Sequence, residues 1–153
     1  IITGISTVGV AVSDLVDNTN FIAGTKVTGY GAAASQVVVD QTSTNTSAVS
    51  GVAIVNFLGM TTAYTSAAAT KSILIGGTFA NNTSSSVNLT VEIHDASAGI
   101  QAAIASKIPV PTGSSFVISD AGKSVLEAGD EVRVFCDTAN AIDVNLSILT
   151  GVS

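Results

Sequence analysis

Ser86-Val87-Asn88-Leu89-Thr90-Val91-Glu92-Ile93-His94-Asp95 alternates polar and apolar side chains without a slip. Successive side chains of a β-strand point to opposite faces, so Val87, Leu89, Val91 and Ile93 share one face while Thr90, Glu92 and His94 share the other. That is the pattern of a half-buried strand. The closing segment repeats it, with Ile142, Val144, Leu146 and Ile148 on one parity and Asp143, Asn145 and Ser147 on the other. No stretch sustains a 3.6-residue apolar period between plausible helix caps, and glycine or Ser/Thr/Asn clusters interrupt the chain every several residues. The reading is an all-β protein, an antiparallel β-sandwich of jelly-roll-like character preceded by a small β module.

Strands are read at Val52–Leu58, Ser72–Ala80, Ser86–His94, Ile104–Val110, Ser115–Ile118, Lys123–Leu126, Glu131–Cys136 and Ala141–Leu149. These form the sandwich domain, residues 49–153. The best helix candidate, Ala98–Lys107, is short and stopped by Pro109, and reads as a loop or single turn feeding a strand. Asn81-Asn82-Thr83-Ser84-Ser85 fits a hairpin turn, because Asn tolerates positive φ and Ser hydroxyls satisfy nearby backbone groups. Ala128-Gly129-Asp130 reads as another turn. Pro109 and Pro111 cannot donate ladder hydrogen bonds, which puts their strand at an edge or breaks it there. Ile73-Leu74-Ile75 with Phe79 makes a nearly continuous apolar run, which predicts cover on both faces, and Gly76-Gly77 inside it predicts a bulge or a close backbone approach. Residues 1–48 have a different texture, with spaced glycines, short Val/Ile/Thr pieces and only Phe21 and Tyr30 as large residues. They read as a separate β attachment or oligomerisation module, joined by the polar linker Thr42–Ser47.

The composition narrows function by exclusion. Charged residues are 10% and apolar residues 46% of the 153, against about a quarter charged in ordinary soluble domains. Ser, Thr, Asn and Gly must carry solubility, which suits dense assembly. Eleven acidic against five basic groups give a net charge of -6, which speaks against nucleic acid and anionic membrane as partners. One cysteine cannot close an intrachain disulfide.

Reactive chemistry is sparse. His94 and Asp95 are adjacent in a strand and point to opposite faces, so they form no catalytic pair; His94 reads as an ordinary surface residue. Asp14 with Asp17, or Asp130 and Glu131 with Asp137, are acidic groups that could hold a calcium ion at a loop, and the prior favours plain turn residues. Cys136 shares parity with Val132 and Val134 and fills the core. Phe135 shares parity with Glu131 and Arg133, which puts an aromatic ring on a charged face and marks a subunit contact. Asn45, Asn81, Asn82, Asn88 and Asn145 each open an N-x-Ser/Thr triplet, as chance allows in so Asn-, Ser- and Thr-rich a chain. No cofactor is expected. The candidate site is a subunit interface of Phe135, Ile73, Ile75 and Phe79.

Two stretches carry a resemblance. Ile1-Ile2-Thr3-Gly4-Ile5-Ser6-Thr7, Val12-Ser13-Asp14-Leu15-Val16, Phe21-Ile22-Ala23-Gly24-Thr25-Lys26-Val27 and Gln36-Val37-Val38-Val39 together resemble a short β module common in structural proteins of tailed bacteriophages. The rest, with Thr70–Gly76, Ile108–Ser115, Leu126–Asp130 and the closing alternating strand, is similar to small phage virion proteins. The resemblance implies a non-enzymatic virion protein: a capsid decoration protein, a head or neck fibre, or a tail appendage such as a tail fibre. Its implied partners are further copies of itself, a trimer for example, and virion proteins such as the major capsid protein. Its implied location is the particle. The rival is a carbohydrate- or host-surface-binding β-sandwich, weakened by the lack of Trp and the presence of only Tyr30 and Tyr64.

Overall fold

The computed structural model describes residues 1–44, 55–119 and 123–152. All regular structure among them is β-strand. The chain divides into two compact units, Ile1–Gly59 and Met60–Ser153.

The first unit contains β1 (Ile2–Thr3), β2 (Leu15–Asp17), β3 (Val27–Tyr30), β4 (Gln36–Val39) and β5 (Asn56–Leu58). β4 lies between β1 and β3, and β2 pairs with β5, all antiparallel. Ile2, Val16, Val27 and Val37 form its core, with Phe21, Val55 and Phe57 packed against them. The Ile22–Val27 turn is closed by Thr25, fully buried, whose N–H and Oγ1 both donate to the Ile22 carbonyl, at 3.1 and 2.7 Å. Gly24 takes φ +90 there, a backbone state that an L side chain resists.

The sequence places the strand expected at Val52–Leu58 in the sandwich. Its Asn56–Leu58 portion instead pairs with Leu15–Asp17, and residues 52–54 lie outside the described residues. The unit therefore runs to Gly59, not to residue 48. Phe57 and Val55 supply apolar bulk that a module ending at 48 would lack. Tyr30 does not: it is exposed, and its hydroxyl donates to the Val10 carbonyl. Residues 45–47 of the expected linker, and with them the Asn45 triplet, lie outside the described residues. Ser43 Oγ and Thr44 N both bond the Asn20 carbonyl, at 3.0 and 2.8 Å, tying that end to the first unit.

The second unit is an antiparallel sandwich. It contains β6 (Thr61–Thr65), β7 (Lys71–Asn81), β8 (Val87–Asp95), β9 (Ile100–Val110), β10 (Ser115–Ile118), β11 (Ser124–Leu126), β12 (Glu131–Cys136) and β13 (Ile142–Val152). One sheet has the order β6-β12-β8-β9. In the other, β7 pairs along its length with β13, while β10 and β11 also pair with it, at residues 77–80 and 72–74. The core draws on both sheets: Leu74, Phe79, Ile118 and Leu126 from one, Val87, Leu89, Val91, Val132 and Val134 from the other. Fully burying an aliphatic or Phe side chain contributes about 1.5–3 kcal/mol.

The Gly76-Gly77 bulge is real and decides what β7 buries. Ser147 pairs with Gly76 but Ile148 with Leu74, which leaves Ile75 as the extra residue. The insertion reverses the parity of β7, so Ser72 and Leu74 before it and Phe79 and Asn81 after it all face inward. A Cβ on Gly76 would lie 2.8 Å from the Ile118 carbonyl oxygen, and one on Gly77 2.8 Å from Leu146 Cδ2. Gly76 demands glycine for space, because a backbone oxygen cannot yield, whereas at Gly77 the Leu146 methyl can shift.

Two expectations are corrected by pairing. Residues 81–85 do not close a hairpin, because β7 and β8 belong to different sheets; the segment is a corner between layers. Buried Asn81 holds it: Nδ2 donates to the carbonyls of Ser85 (2.7 Å) and Val110 (2.9 Å), and Oδ1 accepts from the Thr83 N–H (2.8 Å) and hydroxyl (2.7 Å). Ala98–Lys107 is neither helix nor loop: β9 starts at Ile100, with Ala102 opposite Ile93 and Ala103 opposite Glu92. The hairpin before it is an Asx turn in which Asp95 Oδ1 accepts from the N–H groups of Ser97 and Ala98, both at 2.9 Å. Of the two outcomes expected for the Pro109 strand, the structure shows the edge, and the strand ends at Val110, just before Pro111.

Candidate subunit-contact faces

The outer face of the β13-β7-β10/β11 sheet carries an apolar strip. Ile73 is paired with Leu149 on one side and Val125 on the other, and directly paired residues project to the same face. Leu149 is 51% and Val125 58% exposed, with Ile73 half-buried between them. Ile75, pushed out of register by the bulge, is 36% exposed on the same strand. An ion pair, Lys71 Nζ to Glu127 Oε1 at 3.0 Å, involves residues two places from Ile73 and Val125 and borders the strip.

The outer face of the other sheet is polar. Glu131 is paired with His94, Arg133 with Glu92, and Phe135 with Thr90. Arg133 Nε donates to Glu131 Oε2 at 2.6 Å, and Thr62 Oγ1 donates to the same oxygen at 3.3 Å. That bond to the guanidinium, chiefly, holds the Glu131 carboxyl below its usual pKa. His94 lies on this outward face as expected, but its imidazole is half-buried, with Nδ1 covered and 3.8 Å from Glu131 Oε2. Its Nδ1 has no hydrogen-bond partner among the described residues. Phe135 sits half-buried at one end of this face.

The four residues read from sequence as one interface do not converge. Phe79 leaves the candidate site altogether: it is 0% exposed and its ring lies 5.9 Å from that of Phe116 in the core. The parity reversal at Ile75 is the cause. Ile73 and Ile75 lie on one sheet and Phe135 on the other. Val125 and Leu149 were missed, although the signal was present: each is an apolar residue on its strand's polar parity, Leu149 in step with Asp143, Asn145 and Ser147.

Asp130, Asp14 and Asp137 are occupied in structural bonds. Asp130 is buried, accepting from the Ala96 N–H at 3.1 Å with one oxygen and the Glu127 N–H at 2.9 Å with the other. Asp14 accepts from the Ala11 N–H at 2.8 Å, and Asp137 from Asn88 through both oxygens. No group of three or more metal-ligating side chains converges among the described residues. Cys136 packs against the core, and burial pushes its thiol pKa up, away from the reactive thiolate. The Tyr64 hydroxyl is engaged with Ser72 Oγ at 2.9 Å. Comparison with family models, with curated proteins and with solved structures finds no match.

Proposed function

We propose that this chain is a structural component of a phage virion, a decoration- or cement-type protein that sits on the particle surface and acts through subunit contacts. The observation that supports this most is the strip Leu149-Ile73-Val125, a three-strand row of aliphatic side chains on an outward face. Isolated exposed apolar residues are ordinary, but a contiguous row bordered by an ion pair is the composition of a contact surface. The low charge density and the resemblance carried by Ile22–Val27 point the same way. A sugar-binding module has less support, because Tyr64 spends its hydroxyl inside the sandwich and no Trp offers a stacking surface. Immunogold labelling of intact particles produced from the encoding genome tests the proposal. Label on the outer surface is the expected result, and intact particles without label would overturn it.

A further inference from the structure

We infer that the free edge of β13 pairs with the same edge of a second copy, antiparallel across a two-fold axis at Leu146, joining two sandwiches through one continuous sheet. This rests on the assembly role proposed above and names the partner and the contact. An unpaired strand edge is a template for another strand, and proteins normally guard it. The other sandwich edges are guarded. β9 carries Pro109, which has no N–H, Lys107 at φ 52, and two register shifts against β8. β6 is five residues long with a register shift, and β10 and β11 are only four and three residues.

β13 is less guarded: of its two register shifts against β7, one inserts Ile75 on the β7 side and the other falls at Gly151, near its end. Its eleven residues pair with β7 alone among the described residues, it contains neither Pro nor Lys, and Asp143 is its one charge. Its regular stretch runs from Ile142 to Thr150, ending where Gly151 turns to φ +72. Full overlap of that stretch with its own copy fixes the axis at the midpoint, Leu146.

The register suits a second copy on three counts. Inward residues meet inward residues: Val144, which is 40% exposed although it lies on the core parity, faces Ile148 of the second copy. Outward, Asn145 faces Ser147. Asp143 faces Leu149, and the two Asp143 carboxylates stand six strand positions apart, about 20 Å, beyond the Debye length of about 8 Å at physiological salt. An acidic chain can therefore pair here without opposing its charges.

The test uses two double variants at exposed positions. Asn145→Lys with Ser147→Lys sets like charges opposite each other twice and should raise the dimer dissociation constant about tenfold. Asn145→Lys with Ser147→Glu sets opposite charges in the same places and should restore association. Sedimentation measures both, with circular dichroism checking the fold. Amide exchange along β13 of the unaltered chain should slow as concentration rises. Unchanged association of the double-lysine variant, or an unaltered chain that stays monomeric, would overturn the edge pairing. Neither result bears on the immunogold experiment, and a β13 dimer that labels no particle would leave the pairing standing while the virion role falls.

Discussion

The outer face of the β6-β12-β8-β9 sheet bonds to itself, with Thr62 and Arg133 both donating to Glu131, whereas the outer face of the opposite sheet leaves Leu149, Ile73 and Val125 in water. The two faces flank one core, so the fold does not explain the difference. A polar face can satisfy its groups within one subunit, while an aliphatic row gains only when something covers it. On the proposed assembly role, the contrast separates side chains satisfied within one subunit from side chains that await a cover.

The comparison breaks first if Phe79 belongs with the strip. Phe79→Ala should cost about 3–5 kcal/mol in chemical denaturation; a variant of unaltered stability would return Phe79 to the surface set. Asn81→Ala should cost about 1–3 kcal/mol, because the carbonyls of Ser85 and Val110 and the Thr83 N–H lose a buried partner. Its melting temperature checks this. Ile73→Ser combined with Val125→Ser should change stability much less, by about 1 kcal/mol or under, and, on the proposed virion role, should show its effect in loss of incorporation into particles. Phe135→Ser sharpens the polar side of the comparison: self-association should weaken more than the melting temperature falls, and the reverse would make that ring a core residue.

The smallest effect lies within the polar face. Glu131 has a lowered folded-state pKa, so its ionised form stabilises the fold above the unfolded value. That contribution disappears as pH falls below the ordinary 4.5 and through the folded value. Arg133→Gln should remove most of this gain, by under about 1 kcal/mol at neutral pH for a pair still in contact with solvent. Acid titration followed by circular dichroism should then show less difference between pH 7 and pH 3 than the unaltered chain does.

Much of the sandwich was legible because period-2 alternation is a direct image of one buried face, as in Val87–Ile93 and the strand at Glu131–Cys136. Ala102, Ala103 and Ala105 misled, since alanine has weak strand propensity and the pairing with β8 overrides it. The Asn81–Ser85 segment announced a turn but not its destination: whether a turn joins neighbours or crosses layers depends on distant partners, here the Val110 carbonyl. Of the candidate site, Ile73, Ile75 and Phe135 were found on outward faces. Phe79 was misplaced because a bulge shifts parity by one residue, and Gly76-Gly77 signals a bulge without saying which side chains it turns.

The connections of the sandwich also govern how it forms. Among the described residues of the sandwich only β8 and β9 are sequence neighbours that pair with each other, so nearly every other strand contact there waits for chain closure over long separations. Such topologies fold over milliseconds to seconds. The β8–β9 hairpin, initiated by the Asp95 Asx turn, can form on its own within about 1–10 μs and offers the apolar row Val87-Leu89-Val91 to the strands that arrive later. The segment most legible in the sequence is thus the one able to organise the remainder of the domain.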